Sequence, residues 1–241
     1  MSYYVGWAKY VSVAEKRQKA EKTLAKLRKR NPDIQPVVIE GRMIAKSWWG
    51  KAWNENLESY ADYSNRIGRG RSYVRNGAVL DLRISKGQAE ALVQGSSSKP
   101  YQITVQIDKL NDKRWEQITK LCNNRIGTME QLAEGKFPRE LEEILKEKKY
   151  GLFPSPKEIH FDCSCPDWAH MCKHVAAVLY AIGARLDQDP LLFFELRGTD
   201  GAELIKKSME SKVESMLKNA GKKSKREIPK GELEELFGIE F

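Results

Sequence analysis

Cys163, Cys165, Cys172 and His174 bring three thiols and one imidazole into twelve residues of chain. Zinc takes four sulfur or nitrogen ligands in a tetrahedron, and this set fills that shell. A filled shell leaves no position for water or substrate, so the expected ion is structural and the expected unit is a binding module. Residues i and i+2 of an extended segment point to one side, so Cys163 and Cys165 can reach one ion together. Cys172 and His174 stand at the opening of an apolar helix, where unpaired N–H groups and the positive helix end favour thiolate. A thiolate-rich tetrahedral set favours zinc, whereas iron–sulfur clusters usually take four cysteines. His160 and His170 are alternative ligands. His170 lies two residues before Cys172 and competes with His174, which is preferred because it continues into the helix. Cys122 stands apart and reads as a core thiol. Phe161 and Trp168 are expected to pack over the sulfurs.

The elements that must hold these groups follow from pattern. Ile159–Cys163 reads as a strand entering the site. Residues 173–186 are apolar almost all round and predict a buried helix. Upstream, Ala78–Ser85, Gln88–Gln94 and Tyr101–Ile107 alternate, with a turn at Lys86-Gly87, and predict an antiparallel meander. Helices are expected over 13–30 behind a Ser12/Glu15 capping box, and over 46–61, 112–122, 129–134, 139–148, 191–196 and 202–220. Short strands are expected at 3–11 and 37–39. Residues 221–226 read as a basic linker and 233–239 as an amphipathic tail. The fold class is therefore α+β: an antiparallel meander with helices, a small ββα-like zinc module and C-terminal helices. The expected domains are 1–150, basic, with the meander near 77–108; 151–198, the zinc module; and 199–241, helix, linker and tail.

The 241 residues carry a formal charge of +9. Residues 1–75 hold 16 Lys/Arg against 7 Asp/Glu, and residues 76–241 hold 26 against 26, so the whole excess lies in the first third. Such a surface suits a polyanion. The Arg/Gly segment 66–75 is expected to be a mobile loop whose Arg66, Arg69, Arg71 and Arg75 fork onto phosphates, with Lys99 next. The basic residues of helix 13–30 read most simply as a solvated face. Trp48, Trp49 and Trp53 could stack on bases, but their helical spacing favours a core role. Clustered cysteines fit a reducing compartment. With no apolar run long enough to span a bilayer and no signal-peptide layout at the start, the protein is expected in the cytoplasm, with nucleoid association as an alternative.

Cys-x-Cys, a short spacer and Cys-x-His followed by an apolar helix resemble the SWIM zinc finger over about 158–183. That resemblance implies Cys163, Cys165, Cys172 and His174 as ligands of one structural Zn2+, and DNA binding and protein–protein contact as roles. The succession Arg69-Gly70-Arg71-Ser72-Tyr73-Val74-Arg75, Val93-Gln94-Gly95-Ser96, Pro100-Tyr101 and the closing Leu236-Phe237-Gly238-Ile239 is similar to a bacterial group of SWIM proteins. Membership of that group implies association with a Swi2/Snf2-type ATPase. No Gly-x-x-x-x-Gly-Lys-Ser/Thr phosphate loop occurs, so such a motor would be a separate chain. The expected function is a zinc-stabilised nucleic-acid-binding accessory factor, for DNA with RNA as an alternative. A protein-docking adaptor is the competing expectation. Enzymatic activity is not expected, since all three histidines lie between residues 160 and 174 and no acidic cluster at metal spacing accompanies them.

Overall fold

The structure, a computed structural model, describes residues 11–60, 64–122, 126, 128–167, 169 and 171–219. The strand expected at 3–11, the linker at 221–226 and the tail at 233–239 lie outside or almost wholly outside the described residues.

The meander forms as its alternation predicts, and it gains a strand. β1 (Val79–Ser85), β2 (Gln88–Val93), β3 (Tyr101–Ile107) and β4 (Ile159–Cys163) pair antiparallel in that order. β3 and β4 run in register from Ile107 opposite Ile159 to Ile103 opposite Cys163. The metal-site strand is thus the fourth strand of the meander sheet. Ala89, Ala91 and Val93 of β2, Ile103, Val105 and Ile107 of β3, and Ile159 of β4 are buried on one face. Arg83, Glu90 and Asp162 are exposed on the other. One apolar face and one polar face is the usual state of an antiparallel sheet. The expected strand at 37–39 is instead an extended segment along β1, with Val37 N–H donating to Val79 O and Leu82 N–H donating to Gln35 O.

The apolar face is covered by α7 (Lys173–Leu186), with α2 (Trp48–Glu58) and α3 (Ser64–Arg75) packed against it. Nearly all of α7 from His174 to Gly183 is buried. Its small residues let its neighbours approach closely. A methyl group on Gly70 of α3 would sit 2.5 Å from Ala176 Cβ. One on Gly50 of α2 would strike the Gly183 carbonyl, and one on Gly183 would meet Asn54 Oδ1 at 2.5 Å. The segment expected as a mobile Arg/Gly loop is therefore helix. Gly70 packs closely on α7, whereas a methyl group on Gly68 would meet nothing within 4 Å.

The tryptophans belong to the core. Trp49 and Trp53 are fully buried, and their indole N–H groups donate to Leu132 O at 2.7 Å and Leu179 O at 2.8 Å. Asp187, after α7, accepts from the N–H and hydroxyl of Ser47 at the start of α2. The remaining helices are α1 (Val13–Arg30), α4 (Asp112–Cys122), α5 (Met129–Glu134), α6 (Arg139–Lys146), α8 (Leu192–Leu196) and α9 (Gly201–Asn219). One continuous cluster of buried apolar side chains runs from Val37 to Ile205 and crosses the 150/151 position. Just before β4, Glu158 accepts from the buried Arg197 guanidinium at 2.7 Å and from Ser155 N–H at 2.9 Å. Burial alone would raise the Glu158 carboxyl, but those bonds hold it below its ordinary value.

Gly70→Ala should destabilise the fold by about 1–3 kcal/mol, the range for overpacking a filled core, measured by urea unfolding, whereas Gly68→Ala, at an exposed helical position, should stabilise it by up to about 1 kcal/mol. Glu158→Ala should cost about 3–5 kcal/mol, because it strands the buried Arg197 charge. Because the folded-state carboxyl lies low, the Glu158 contribution is present above its unfolded value and is lost as pH falls through the folded one. Wild-type stability should therefore fall in acid more steeply than that of Glu158→Gln.

Candidate metal centre

β4 delivers Cys163 at its inward-facing end, since the alternation that buries Ile159 and half-buries Phe161 puts Cys163 on the same side. Ser164 then fastens the turn, its N–H donating to Gln102 O and its hydroxyl accepting from Gln102 N–H. Cys165 follows in the bend. Cys172 is the N-cap of α7, and its Sγ accepts from Val175 N–H at 3.5 Å. His174 lies in the first helical turn and is buried. The chain thus runs from a strand end to a helix start across one point in space.

The four ligand atoms all lie within 4.8 Å of one another. Cys172 Sγ and His174 Nδ1 are 3.7 Å apart, close to the separation expected of two ligands about 2.0–2.3 Å from one tetrahedral ion. Three thiols and an imidazole in that volume suit zinc, and the four residues are positioned to bind one zinc ion. Two of the thiols lie close enough to hydrogen-bond one another. A hydrogen bond from Cys163 holds Cys172 far below the usual thiol range, helped by His174 and the α7 amides against burial. The same bond pushes Cys163 up. A divalent ion removes that competition, because bound cysteines are thiolates.

Around the imidazole is a shell that motif reading did not assign. Tyr101 of β3 and Tyr73 of α3 lie against the His174 ring, with centroids at 4.5 and 5.3 Å. Gly95 closes over its far edge, where a methyl group would come 2.8 Å from Nε2. Nε2 is buried without a hydrogen-bond partner among the described residues, so Nδ1, facing Cys172, is the nitrogen turned toward the thiols. The signal for this shell was present in Tyr73, Gly95 and Tyr101, which all fall within the segments that carried the bacterial SWIM resemblance.

His160 is exposed on the outer face of β4 and bonds Asp108 Oδ1 at 3.0 Å. Cys122 is buried in the core away from the cluster. Phe161 is half-buried and packs on the core. His170 and Trp168 lie outside the described residues. The candidate phosphate contacts do not form one set. Arg66 pairs with Asp167 of the metal-site turn at 3.2 Å. Arg71 pairs with Glu58 at 2.5 Å and donates to the Tyr180 hydroxyl at 2.8 Å. Arg75 is exposed and donates to Arg42 O at 2.9 Å. Arg69 and Lys99 are exposed and take part in no ion pair among the described residues. Arg66 and Arg71 therefore fasten α3 to its surroundings.

The family model described as "SWIM zinc finger" matches residues 161–183, the strand end, the turn and most of α7. The chain carries a SWIM zinc finger. An uncharacterized protein of Mycobacterium tuberculosis is 33% identical over 183 residues, covering 72% of this chain. This chain spans 66% of that relative's length. No solved structure matches. No described helix is long and apolar enough to cross a membrane.

Cys172→Ser or His174→Gln should abolish stoichiometric zinc, measured by metal analysis, and should loosen the finger together with the start of α7, because binding and folding are one free energy here. Amide exchange should show reduced protection at 174–180. A variant that keeps full protection without metal would contradict this.

Proposed function

We propose that the protein is a zinc-stabilised nucleic-acid-binding accessory factor, acting on DNA beside a separate Swi2/Snf2-type ATPase. The observation that carries this reading is the surface of α3 next to the finger. Arg69 and Arg75 are exposed there, while Tyr73 between them touches the zinc ligand His174. Zinc would hold α3 and the Gly95 turn in place, and the arginines would meet phosphate. Backbone contacts of this kind carry no sequence information by themselves. A closed Cys3His set supports a structural ion, so no catalytic step is assigned to it.

A second reading has its own observation. α9 leaves Met209, Val213, Met216 and Leu217 exposed along one side, a stripe suited to helix-in-groove docking. On that reading the protein is an adaptor whose contact with the ATPase, or another protein, runs through α9 and which has little nucleic-acid affinity of its own.

Fluorescence anisotropy with labelled duplex DNA tests the first reading. Binding should be clear at low salt and should fall linearly on a log–log plot as salt rises. Arg69→Gln with Arg75→Gln should lower the slope by about 2, near 1 for each arginine that no longer meets a phosphate. Absence of any binding at low salt rejects this reading, and capture of an ATPase that survives nuclease treatment and disappears with Met209→Lys/Val213→Lys then supports the adaptor.

A further inference from the structure

We infer that α1 is the main DNA-backbone grip of this protein, and that it is set in position by the turn that closes over the zinc ligand His174. The inference rests on the nucleic-acid reading above and shifts its centre from the Arg66–Arg75 segment to a different element.

Charge points to α1 first. Its 18 residues hold eight Lys/Arg against two Glu, a difference of +6 beside +9 for the whole chain. Its polar character is not explained by packing, since Ala20 is its one buried residue. Thr23, Leu24 and Leu27 are half-buried beneath it. Lys22, Lys26 and Lys29 are all exposed. At 3.6 residues per turn they fall within an arc of about 60°, roughly opposite Ala20, and span about 10 Å of helix. None of the three takes part in an ion pair among the described residues, whereas Arg17 on the flank is paired with Glu21. Like charges at this spacing repel along a helix. A polyanion with one charge per about 1.7 Å of axis relieves that repulsion along the whole row. The outer face of the sheet does not compete, because it exposes Glu90 and Asp162 beside Arg83.

Placement points to α1 second. Lys19, on the inward side, donates its ammonium to Ser96 O at 2.7 Å and Gly95 O at 3.3 Å. Gly95 rests on the His174 and Tyr101 rings. Lys19 and Lys16 also line, with Ser72 and Tyr73 of α3 and Asn76 just after it, a cavity of about 180 Å³ between the two helices. α1 is thus moored at the finger rather than buried in the core. Lys19 is a positioning residue: its charge is already used by two carbonyls, so its role is to hold α1, and with it the row of Lys22, Lys26 and Lys29, at the Gly95 turn.

The test uses the full chain and a labelled 20-base-pair duplex over a salt series. Lys22→Gln/Lys26→Gln/Lys29→Gln should weaken binding about tenfold or more at low salt and lower the salt slope by about 3. Lys206→Gln/Lys212→Gln/Lys218→Gln on α9 removes the same charge and should leave the slope within about 1 of wild type. Zinc content and thermal midpoint should be unchanged in both. Lys19→Met, with zinc retained, should weaken binding more than Lys22→Gln alone. Equal losses in the two triple variants would overturn the assignment of α1 and leave only a net-charge effect. A Lys19→Met loss no larger than that of Lys22→Gln would overturn the mooring. Wild-type protein that does not bind at all would reject the nucleic-acid reading itself, a result distinct from either.

Discussion

The close fit of α7 between α2, α3 and the sheet governs the rest of this structure. Helices normally stand 8–10 Å apart, at a distance set by the side chains between them. Here Ala176 and Ala177 receive Gly70 on one side, and Gly183 receives Gly50 and Asn54 on another. Small residues on both partners let backbone meet backbone, and dispersion contacts accumulate over the whole length of a helix with almost no exposed surface. The zinc ligands stand at the first turn of this same helix. The ion is therefore an anchor at one end of the central element, while Asp187 bonded to Ser47 fastens the other end. Between those ends α7 is buried from His174 to Gly183.

Such a layout separates two jobs that a zinc finger can combine. Cys163 and Cys172 fix a strand end against a helix start, and Tyr73 and Tyr101 seal the imidazole from solvent. Cys172 and the imidazole are buried, and the other groups are half-buried. The exposed charged groups, Arg69 and Arg75 of α3 and Lys22, Lys26 and Lys29 of α1, belong to neighbouring helices that touch the site through Tyr73 and, by way of Lys19, through the Gly95 turn. Arg66 and Arg71 lie between the two roles, since their positive charge is spent on Asp167 and Glu58.

Much of this was legible in residue order, and the failures are instructive. Alternation located β1, β2 and β3, and β2 and β3 do bury one face more than the other, whereas β1 is buried throughout Val79–Leu82. The all-round apolar run 173–186 located α7 to the residue. Ligand chemistry and spacing located the metal centre, where i, i+2 geometry and helix-start geometry are local. The Arg/Gly segment misled, because glycine supplies flexibility in a loop and closeness in a helix contact, and only the partner distinguishes them. That partner, Ala176, lies about a hundred residues away in the chain. The joining of β4 to β3 was hidden for the same reason: register between strands so far apart leaves no mark on either one. The indole bonds of Trp49 and Trp53 are likewise tertiary, though their spacing was enough to place them inside.

The bond from Trp53 to the Leu179 carbonyl joins groups 126 residues apart. On a ribosome adding about 5–20 residues per second, α2 and α3 emerge many seconds before the helix they are shaped to hold. During that interval the slots lined by Gly50 and Gly70 stand open, and the inner face of the first three strands lacks its cover. The helix that fills those slots therefore arrives late, and the metal ligands arrive with it. Supply of zinc then bears on how many new chains finish folding as well as on how well finished ones hold together.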